Sequence, residues 1–329
     1  MKISSANQTE AIKKARPNLK ENSIKQYELH LRKLKKLFDS EDYDFLSNPD
    51  EVMEKISGGH YTSQRNTLNA VIILLMALNS EDKYDKLIET YGKKRDSLNK
   101  KYDEDQQSGK ISDKQKANFV ELSEIKGMIN QMEDEIKKGN LKKKETLTGR
   151  EKQLFMVWLL YNFLMRIPTR NDMAGQRIIS KTMYNKLSED DKKAGNFIVK
   201  EKGKMTGIYN EYKTQKKYGE RKIDIPKDLE KMINLYVRKT KLKMGDVLFT
   251  TSTGTPLSRN QISQLLLKTS KKYLGKNIST TMMRKIVASH HFGEGSEFAE
   301  LKKKQEDLAE KMGHSVDVMD KVYIKEEQD

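Results

Sequence analysis

The chain has 329 residues, of which 35% are hydrophobic and 34% are charged. This length suffices for two domains that each bury a core of their own. Its 64 lysines and arginines outnumber the 48 aspartates and glutamates, which gives a net charge of +16. A charge this positive indicates a polyanionic partner, and nucleic acid fits best because basic stretches recur along the whole chain. The absence of cysteine excludes disulfides, a cysteine nucleophile and cysteine-based zinc sites.

Nothing in the sequence indicates export or a membrane span. The first residues, MKISSANQTEAIKKARP, lack the apolar core of a secretory signal. The longest apolar run, 70–78, is far too short to cross a bilayer. We therefore expect a soluble, intracellular protein that associates with DNA, in a cytoplasm or nucleoid, a nucleus or a viral replication site.

Residues 1–108 are predicted to form an all-helical domain. Ser23 is a suitable N-cap, and the apolar residues that follow it to Phe38 recur at spacings of three and four. This helix has a basic opposite face. A short helix is expected at 50–56, a buried helix in YTSQRNTLNAVIILLMALNS, and an amphipathic helix at 82–102.

The polar stretch at about 103–114 has no periodicity and is predicted to be a linker, so the second domain covers 109–329. An amphipathic helix is expected from Phe119 to Ile136. It could pair with the helix at 82–102 as a coiled-coil hairpin across the linker. The preferred alternative is that it opens the second domain.

The second domain is predicted to combine helices with a small antiparallel sheet, so the fold class is mainly α, α+β. GREKQLFMVWLLYNFLM is expected to be a core helix. Four short extended runs follow it (QRII, NFIVK, IYNEYK and RKIDIP), and the basic turn TQKKYGE makes a lysine-rich hairpin of the last two. Helices return at 229–240 and 260–274, and again from Thr281 to the end.

The chain closes on GHSVDVMDKVYIKEEQD, where His314 and Tyr323 are nine residues apart. On one straight helix these two side chains would point apart, because each residue turns the helix by about 100°. Gly313 is a suitable helix C-cap, and Ser315 or Asp317 could cap a new helix, so a bend would let them converge. Taken alone, the segment is explained as well by a packing role for the tyrosine.

Five polar residues stand out by their settings: Arg170 in MRIPTRNDMAG, Lys213 in NEYKTQKKYGERKIDIP, Arg284 in STTMMRKIVASHH, and the terminal His314 and Tyr323. Each has an ordinary structural explanation when taken singly. Their order along the chain resembles that of the tyrosine recombinases, the integrase family. The PTRND setting of Arg170 looks more like that of virus- or transposon-encoded members than that of bacterial chromosome-dimer resolvases.

The resemblance covers most of the chain. SIKQYELHLRKLKKLF looks like the first helix of the family's helical core-binding domain, and ELSEIKGMINQM like the opening helix of its catalytic domain. YKTQKKYGERKIDIP resembles its lysine-bearing β-hairpin, and AEKMGHSVDVMDKVYIK its Gly-His…Tyr terminus. The resemblance thus implies a DNA-binding domain at 1–108 and a catalytic domain at 109–329.

The family also implies the chemistry. Tyr323 would attack a DNA phosphate and form a covalent 3′-phosphotyrosyl intermediate, with Arg170 and Arg284 clamping the phosphate oxygens. His314 would hydrogen-bond a non-bridging oxygen, and Lys213 would protonate the departing 5′-oxygen. The implied function is site-specific recombination or integration of double-stranded DNA by a self-associating protein, as a tetramer on paired sites.

One position departs from the family's pattern. Where the family usually has His-x-x-Arg, this chain has TMMR, so Thr281 replaces a histidine or lysine. Threonine cannot act as a general acid or base at neutral pH, but it can donate a hydrogen bond to phosphate. Thr281 and Asp172 are the accessory candidates. His290 and His291 are expected to be packing residues of an apolar helix.

No metal or other cofactor is expected, because the sequence contains no H-x-E, C-x-x-C or phosphate-binding G-x-x-x-x-G-K-[ST] pattern. The residues predicted to contact DNA share a basic side chain on a helix or turn: Lys25, Arg32, Lys36, Arg65, Lys216 and Lys217. Two other functions stay open at this point. One is a type IB topoisomerase, which uses the same catalytic set, and the other is a catalytically impaired DNA-binding relative.

Overall fold

A computed structural model of the chain describes residues 5–107, 112–293, 296–313 and 315–316. The chain divides into two compact units, Met1–Ile111 and Ser112–Asp329. Over the described residues it is mostly helical with one small sheet, so the predicted α+β class is confirmed. Within the same residues, no helix has the combination of length and apolar character that crossing a membrane requires.

The first unit is a helical bundle built around one central helix, α4. Its elements are α1 (Ser5–Ala15), α2 (Glu21–Leu37), a 3₁₀ helix (Asp44–Ser47), α3 (Pro49–Ile56), α4 (Tyr61–Leu78) and α5 (Asp85–Gln107). Helix α4 packs against α1, α2 and α5, which is possible because its second half is apolar on nearly all sides. Leu68, Val71 and Leu75 are among its buried residues.

The observed ends of α2 and α5 differ from the predicted ones. Helix α2 begins at Glu21, so Ser23 lies in its first turn and not at its N-cap, and the Ser23 amide donates to Lys20 O at 2.8 Å. Helix α5 continues through 103–107 into the predicted linker. This stretch contains neither glycine nor proline, so nothing in it stops the helix.

The second unit is organised around α8, whose residues 155–164 are all buried. Its helices are α6 (Asp113–Lys116), α7 (Leu122–Lys138), α8 (Gly149–Arg166), a 3₁₀ helix (Asn171–Met173), α9 (Lys181–Asn185), α10 (Glu189–Lys193), α11 (Gln215–Tyr218), α12 (Lys227–Thr240), α13 (Arg259–Leu274), α14 (Thr280–Phe292) and α15 (Glu297–Lys311). Helices α7, α12, α13 and α14 all contact α8 or α7. Helix α7 buries its apolar face here, which is the placement preferred above over a hairpin with α5.

The sheet is mixed, with the strands in the order β1 (Arg177–Ser180), β2 (Asn196–Glu201), β3 (Lys204–Tyr209) and β4 (Arg221–Asp224). The β2–β3 and β3–β4 pairs are antiparallel, as predicted, but β1 pairs with β2 in parallel. The parallel pair arises because α9 and α10 lie between these strands and carry the chain back to the same end of the sheet.

Lys213 lies beyond the strand that was predicted to carry it. Strand β3 ends at Tyr209, because the backbone amides of Asn210 and Glu211 donate to the side-chain oxygen of Asn196, both at 2.9 Å, and leave the strand ladder. The connection from β3 to β4, residues 210–220, therefore starts early and contains the short helix α11. Lys213 is exposed on this connection.

A substitution at Tyr91 tests how its buried hydroxyl contributes to the packing of the first unit. This hydroxyl is fully buried and donates to Leu46 O at 2.9 Å, which ties α5 to the first 3₁₀ helix. We expect Tyr91→Phe to destabilise this unit by about 1–2 kcal/mol, because a buried carbonyl loses its partner. Native-state hydrogen exchange of α4 and α5 amides measures this. Tyr218→Phe, at a residue that is 60% exposed, should change exchange little. Unchanged protection in the Tyr91 variant would contradict this account.

Candidate active site

Arg170 is exposed at the start of the second 3₁₀ helix, just after the buried helix α8. Its neighbour Asn171 holds this segment in place. The Asn171 side-chain nitrogen donates to Arg259 O at 2.7 Å and to Ser263 Oγ at 2.6 Å, and its side-chain oxygen accepts from Thr280 Oγ1. One amide thus attaches the Arg170 segment to both α13 and α14.

Arg284 is half-buried and lies one helical turn after Thr280 on the same side of α14. Its Nε donates to Pro168 O at 3.2 Å. Because Pro168 is two residues before Arg170, the structure places both predicted clamp arginines beside the same short segment. They come from parts of the chain more than a hundred residues apart.

Asp172 is the buried carboxylate of this region and is only 4% exposed. Burial raises its pKa, and the positive charges of Arg259, Arg170, Arg221 and Arg284 act in the opposite direction. The closest of these is Arg259, whose Nη2 lies 3.8 Å from Asp172 Oδ1. We refer to the four arginines around Asp172, namely Arg170, Arg221, Arg259 and Arg284, as the arginine cluster. Asp172 is therefore a buried carboxyl surrounded by the positive charges of four arginines.

The cluster is chemically suited to an anion with several oxygens. Arg170, Arg221 and Arg259 are exposed, so their guanidinium groups can meet a ligand from solvent. Guanidinium groups stay charged at neutral pH and offer paired N–H donors to phosphate. Asp172 and Glu211, the two acidic residues beside Arg259, do not neutralise four guanidinium groups, so the site keeps an excess positive charge.

The Lys213 connection is tied to the same segment by a buried asparagine. Asn196 Nδ2 donates to Asp172 O at 2.7 Å and to Glu211 O at 2.9 Å. Asp172 is two residues after Arg170, and Glu211 is two residues before Lys213. The structure thus brings together three of the predicted catalytic positions, although the Lys213 side chain itself extends into solvent.

The rest of the connection is ordered by a tyrosine. Tyr212 is buried, and its hydroxyl donates to Gly219 O at 2.7 Å, across the turn. The guanidinium of Arg221 lies 5.4 Å from the centre of the Tyr212 ring, a cation–π distance. Gly219 has φ 65°, a conformation that suits glycine. The Lys213 turn is therefore supported from within by the residue next to the lysine.

Thr281 lies on a different side of α14 from the residue that binds Asn171. It is exposed and lines a cavity of about 520 Å³ together with Gln115 and Lys285. Thr280 forms the bond to Asn171 instead. An accessory role for Thr281 stays a prediction.

The expectation that His290 and His291 are packing residues is wrong. Both are exposed in the last turn of α14, where the apolar face of the helix has ended, and their rings lie 5.1 Å apart.

His314 and Tyr323 lie outside the described residues, so their predicted roles stay predictions. The structure does describe the approach to them. Helix α15 ends at Lys311, and Gly313 has φ 71°, the left-handed conformation that ends many helices. This glycine behaves as the sequence predicted.

The predicted DNA-binding residues occupy exposed or partly exposed sites. Lys25, Arg32 and Lys36 are spaced by seven and four residues, so they lie along one exposed side of α2. Arg65 differs, because its guanidinium stacks 4.2 Å from the centre of the Tyr102 ring in α5. The remaining two, Lys216 and Lys217, are exposed on α11. Their DNA contacts stay predictions.

Sequence reasoning missed Arg221 and Arg259, the other two members of the arginine cluster. Arg221 is the first residue of β4, and Arg259 is the first residue of α13. Neither has neighbours in the sequence that set it apart from the many other basic residues. Their relation to Asp172 arises only when the sheet and α13 pack against the second 3₁₀ helix.

Comparison with known proteins finds similar solved structures but no match by sequence. The sequence matches no protein-family model and no curated protein. Similar solved structures include the XerH site-specific recombinase bound to a palindromic difH substrate in a post-cleavage complex, with 17% identity and a TM-score of 0.46 over 96% of this chain and 79% of that one. Another is the XerA recombinase, with 10% identity and a TM-score of 0.35 over 97% and 94%. Identity and TM-scores this low carry no information about the chemistry of this chain.

The buried carboxyl of Asp172 gives a prediction about pH. Its raised pKa means that the folded state favours the neutral form, so its ionisation costs stability at neutral pH. We expect Asp172→Asn to have a higher thermal midpoint than the wild type at pH 7. The difference should shrink as the pH falls towards the ordinary value of 3.8, where the unfolded chain also becomes protonated.

Asp228 is the matched control of opposite sign. Its hydrogen bond from Arg166, 2.7 Å long, lowers its pKa, so its ionised form stabilises the fold at neutral pH. Asp228→Asn should therefore have a lower midpoint than the wild type at pH 7, and the gap should close on acidification. A lower midpoint for Asp172→Asn at pH 7 would show that its arginine contacts outweigh the cost of burial.

Proposed function

We propose that this protein is a tyrosine site-specific recombinase that cleaves and rejoins double-stranded DNA through a covalent 3′-phosphotyrosyl intermediate. The observation that carries the proposal is that Arg284 and the Lys213 connection are both attached to the backbone of the segment that carries Arg170, next to the buried carboxyl of Asp172. Arg170, Lys213 and Arg284 are also the residues that stand out in the sequence by their settings and their order along the chain.

The chemistry assigns one task to each group. A phenol has a pKa of about 10 and is a weak nucleophile at neutral pH, so the positive field of the arginine cluster favours its phenolate form. Arg170 and Arg284 bind the non-bridging phosphate oxygens as negative charge builds on them during attack by Tyr323 Oη. The P–O5′ bond breaks, and Lys213 Nζ gives its proton to the departing oxygen.

The linkage to tyrosine retains the energy of the broken phosphodiester bond, so the 5′-hydroxyl of a second strand can reverse the step. In this proposal His314 hydrogen-bonds a phosphate oxygen, and the chain's own arginines supply the positive charge. The first unit contributes the exposed basic side of α2 to DNA binding, through Lys25, Arg32 and Lys36. Because such contacts are to phosphates, binding should weaken steeply with salt.

Exchange between two duplexes requires several protomers, so the proposal includes self-association, as a tetramer on paired sites. The alternative functions differ in products. A type IB topoisomerase would relax supercoiled plasmid without exchanging strands. A catalytically impaired relative would bind DNA and form no covalent adduct.

Adduct trapping tests the function. The full chain is incubated with a pool of randomised duplexes that carry a nick, so that the short fragment released by cleavage diffuses away and the intermediate accumulates. We expect a protein–DNA adduct that resists denaturant, with a free 5′-hydroxyl on the released fragment. Recovered DNA gives the target site, and a plasmid with two copies of it separates recombination from relaxation.

Substitutions of single residues show which side chains adduct formation requires. Tyr323→Phe should abolish the adduct, and Arg284→Ala should slow its formation by about 10²–10³-fold, in the manner of a lost oxyanion donor. Tyr218→Phe, which removes an exposed phenol from the Lys213 connection, is the matched control and should leave adduct formation unchanged. An adduct that persists in Tyr323→Phe, or no adduct with the wild type, would refute the proposal.

A further inference from the structure

We infer that Arg259 is a positioning residue that holds the Lys213 connection against the Arg170 segment. The inference deepens the proposed function and rests on it. It assigns to a residue outside the predicted catalytic set the task of placing the general acid.

The backbone of Arg259 is fixed on both sides. Arg259 is the first residue of α13, directly after the N-cap Ser258, whose side chain accepts from the Gln261 amide while the Gln261 side chain accepts from the Ser258 amide. In addition, Asn171 Nδ2 donates to Arg259 O. The base of the side chain is thus anchored to the Arg170 segment before any contact of the guanidinium is considered.

The guanidinium then spans two acidic residues. Its Nη2 donates to Glu211 O at 3.0 Å and lies 3.5 Å from Glu211 Oε1 and 3.8 Å from Asp172 Oδ1. Glu211 is two residues before Lys213, and Asp172 is two residues after Arg170. Arg259 therefore links the segment that carries Arg170 to the connection that carries Lys213.

The positive charge of Arg259 matters because the link joins two acidic residues, Asp172 and Glu211. Without Arg259, the carboxylates of Asp172 and Glu211 lose the cation that lies 3.8 Å from one and 3.5 Å from the other, and the guanidinium no longer ties the connection to the Arg170 segment. Asn196 would still hold the Glu211 backbone, but it contacts the carbonyl and amide groups and leaves the carboxylates unpaired. A general acid must come within about 3 Å of the oxygen that it protonates, so a small outward shift of the turn matters.

The planar fork of arginine suits this role better than a lysine would. Its five N–H donors can serve a carbonyl and two carboxylates at once, whereas an ammonium is a compact point charge on a flexible stem. The side chain is 45% exposed, so its individual ion pairs contribute little to stability. The expected effect of its loss is therefore on the reaction and not on folding.

The test compares two DNA substrates. On ordinary DNA, Arg259→Gln should slow adduct formation by about 10²-fold, the size of effect that a misplacement of 1 Å produces. In the second substrate, sulfur replaces the bridging 5′-oxygen at the cleavage site. A thiol has a pKa of about 8.5, so the thiolate leaves without receiving a proton. If Arg259 acts through Lys213, the Arg259→Gln defect should disappear on this substrate.

Further variants calibrate the result. Lys213→Ala should show the same pattern as Arg259→Gln, while Arg170→Ala should be slow on both substrates because it binds the phosphate itself. Lys268→Gln removes an exposed cation from the same helix and should match the wild type on both. Combining Arg259→Gln with Glu211→Gln should cost less than the sum of the two single effects, because both remove one link. Thermal midpoints confirm that each variant is folded.

Two outcomes would overturn the inference alone. An equal defect on oxygen and sulfur substrates would mean that Arg259 binds the phosphate or the DNA directly. Wild-type rates in Arg259→Gln on ordinary DNA would mean that the link is dispensable. In contrast, a wild-type protein that forms no adduct with either substrate would refute the proposed function itself, and the inference with it.

Discussion

Two asparagine side chains hold the segment on which the candidate site depends. Asn171 attaches the second 3₁₀ helix to α13 and α14, and Asn196 attaches it to the start of the β3–β4 connection. Asn196 is 3% exposed, so its amide makes these bonds where water competes little. Amides suit this task because each offers two donors and an acceptor without adding charge. Helices and a strand that are distant in the sequence thereby meet around one short turn.

Charge then determines what the assembled turn can do. Four arginines near one another would repel, and the buried Asp172 partly offsets that repulsion while its own ionisation is disfavoured by burial. Four neighbouring arginines with one buried carboxyl contribute little to the stability of the fold, but they form a positive site that an anion can bind. Phosphate is an anion that suits several guanidinium groups, and the net charge of +16 fits the proposed DNA partner.

The two units achieve their packing by different means. In the first, the nearly all-apolar helix α4 is surrounded by amphipathic helices, which leaves their basic sides exposed. In the second, α8 is buried over residues 155–164 and supports both the helices and the sheet. The polar turns that carry Arg170 and Lys213 lie at the margins of that core. Exposed turns on a well-packed core are what the proposed phosphate site requires.

The amino-acid sequence by itself determined the fold class, most helix positions and the residues worth suspecting, since periodicity, capping residues and motif order are local properties of the chain. Helix α8 and the glycine stop at Gly313 were readable for this reason. Only the tertiary structure decided that Thr280, and not Thr281, meets Asn171, that β1 pairs in parallel, and that Arg221 and Arg259 join Arg170 and Arg284. The parallel pairing depends on backbone strands 20 residues apart, as in Arg177 with Phe197. The other two facts depend on side chains that meet across roughly 50 to 110 residues, and no local pattern specifies which of 64 basic residues will face one buried carboxylate.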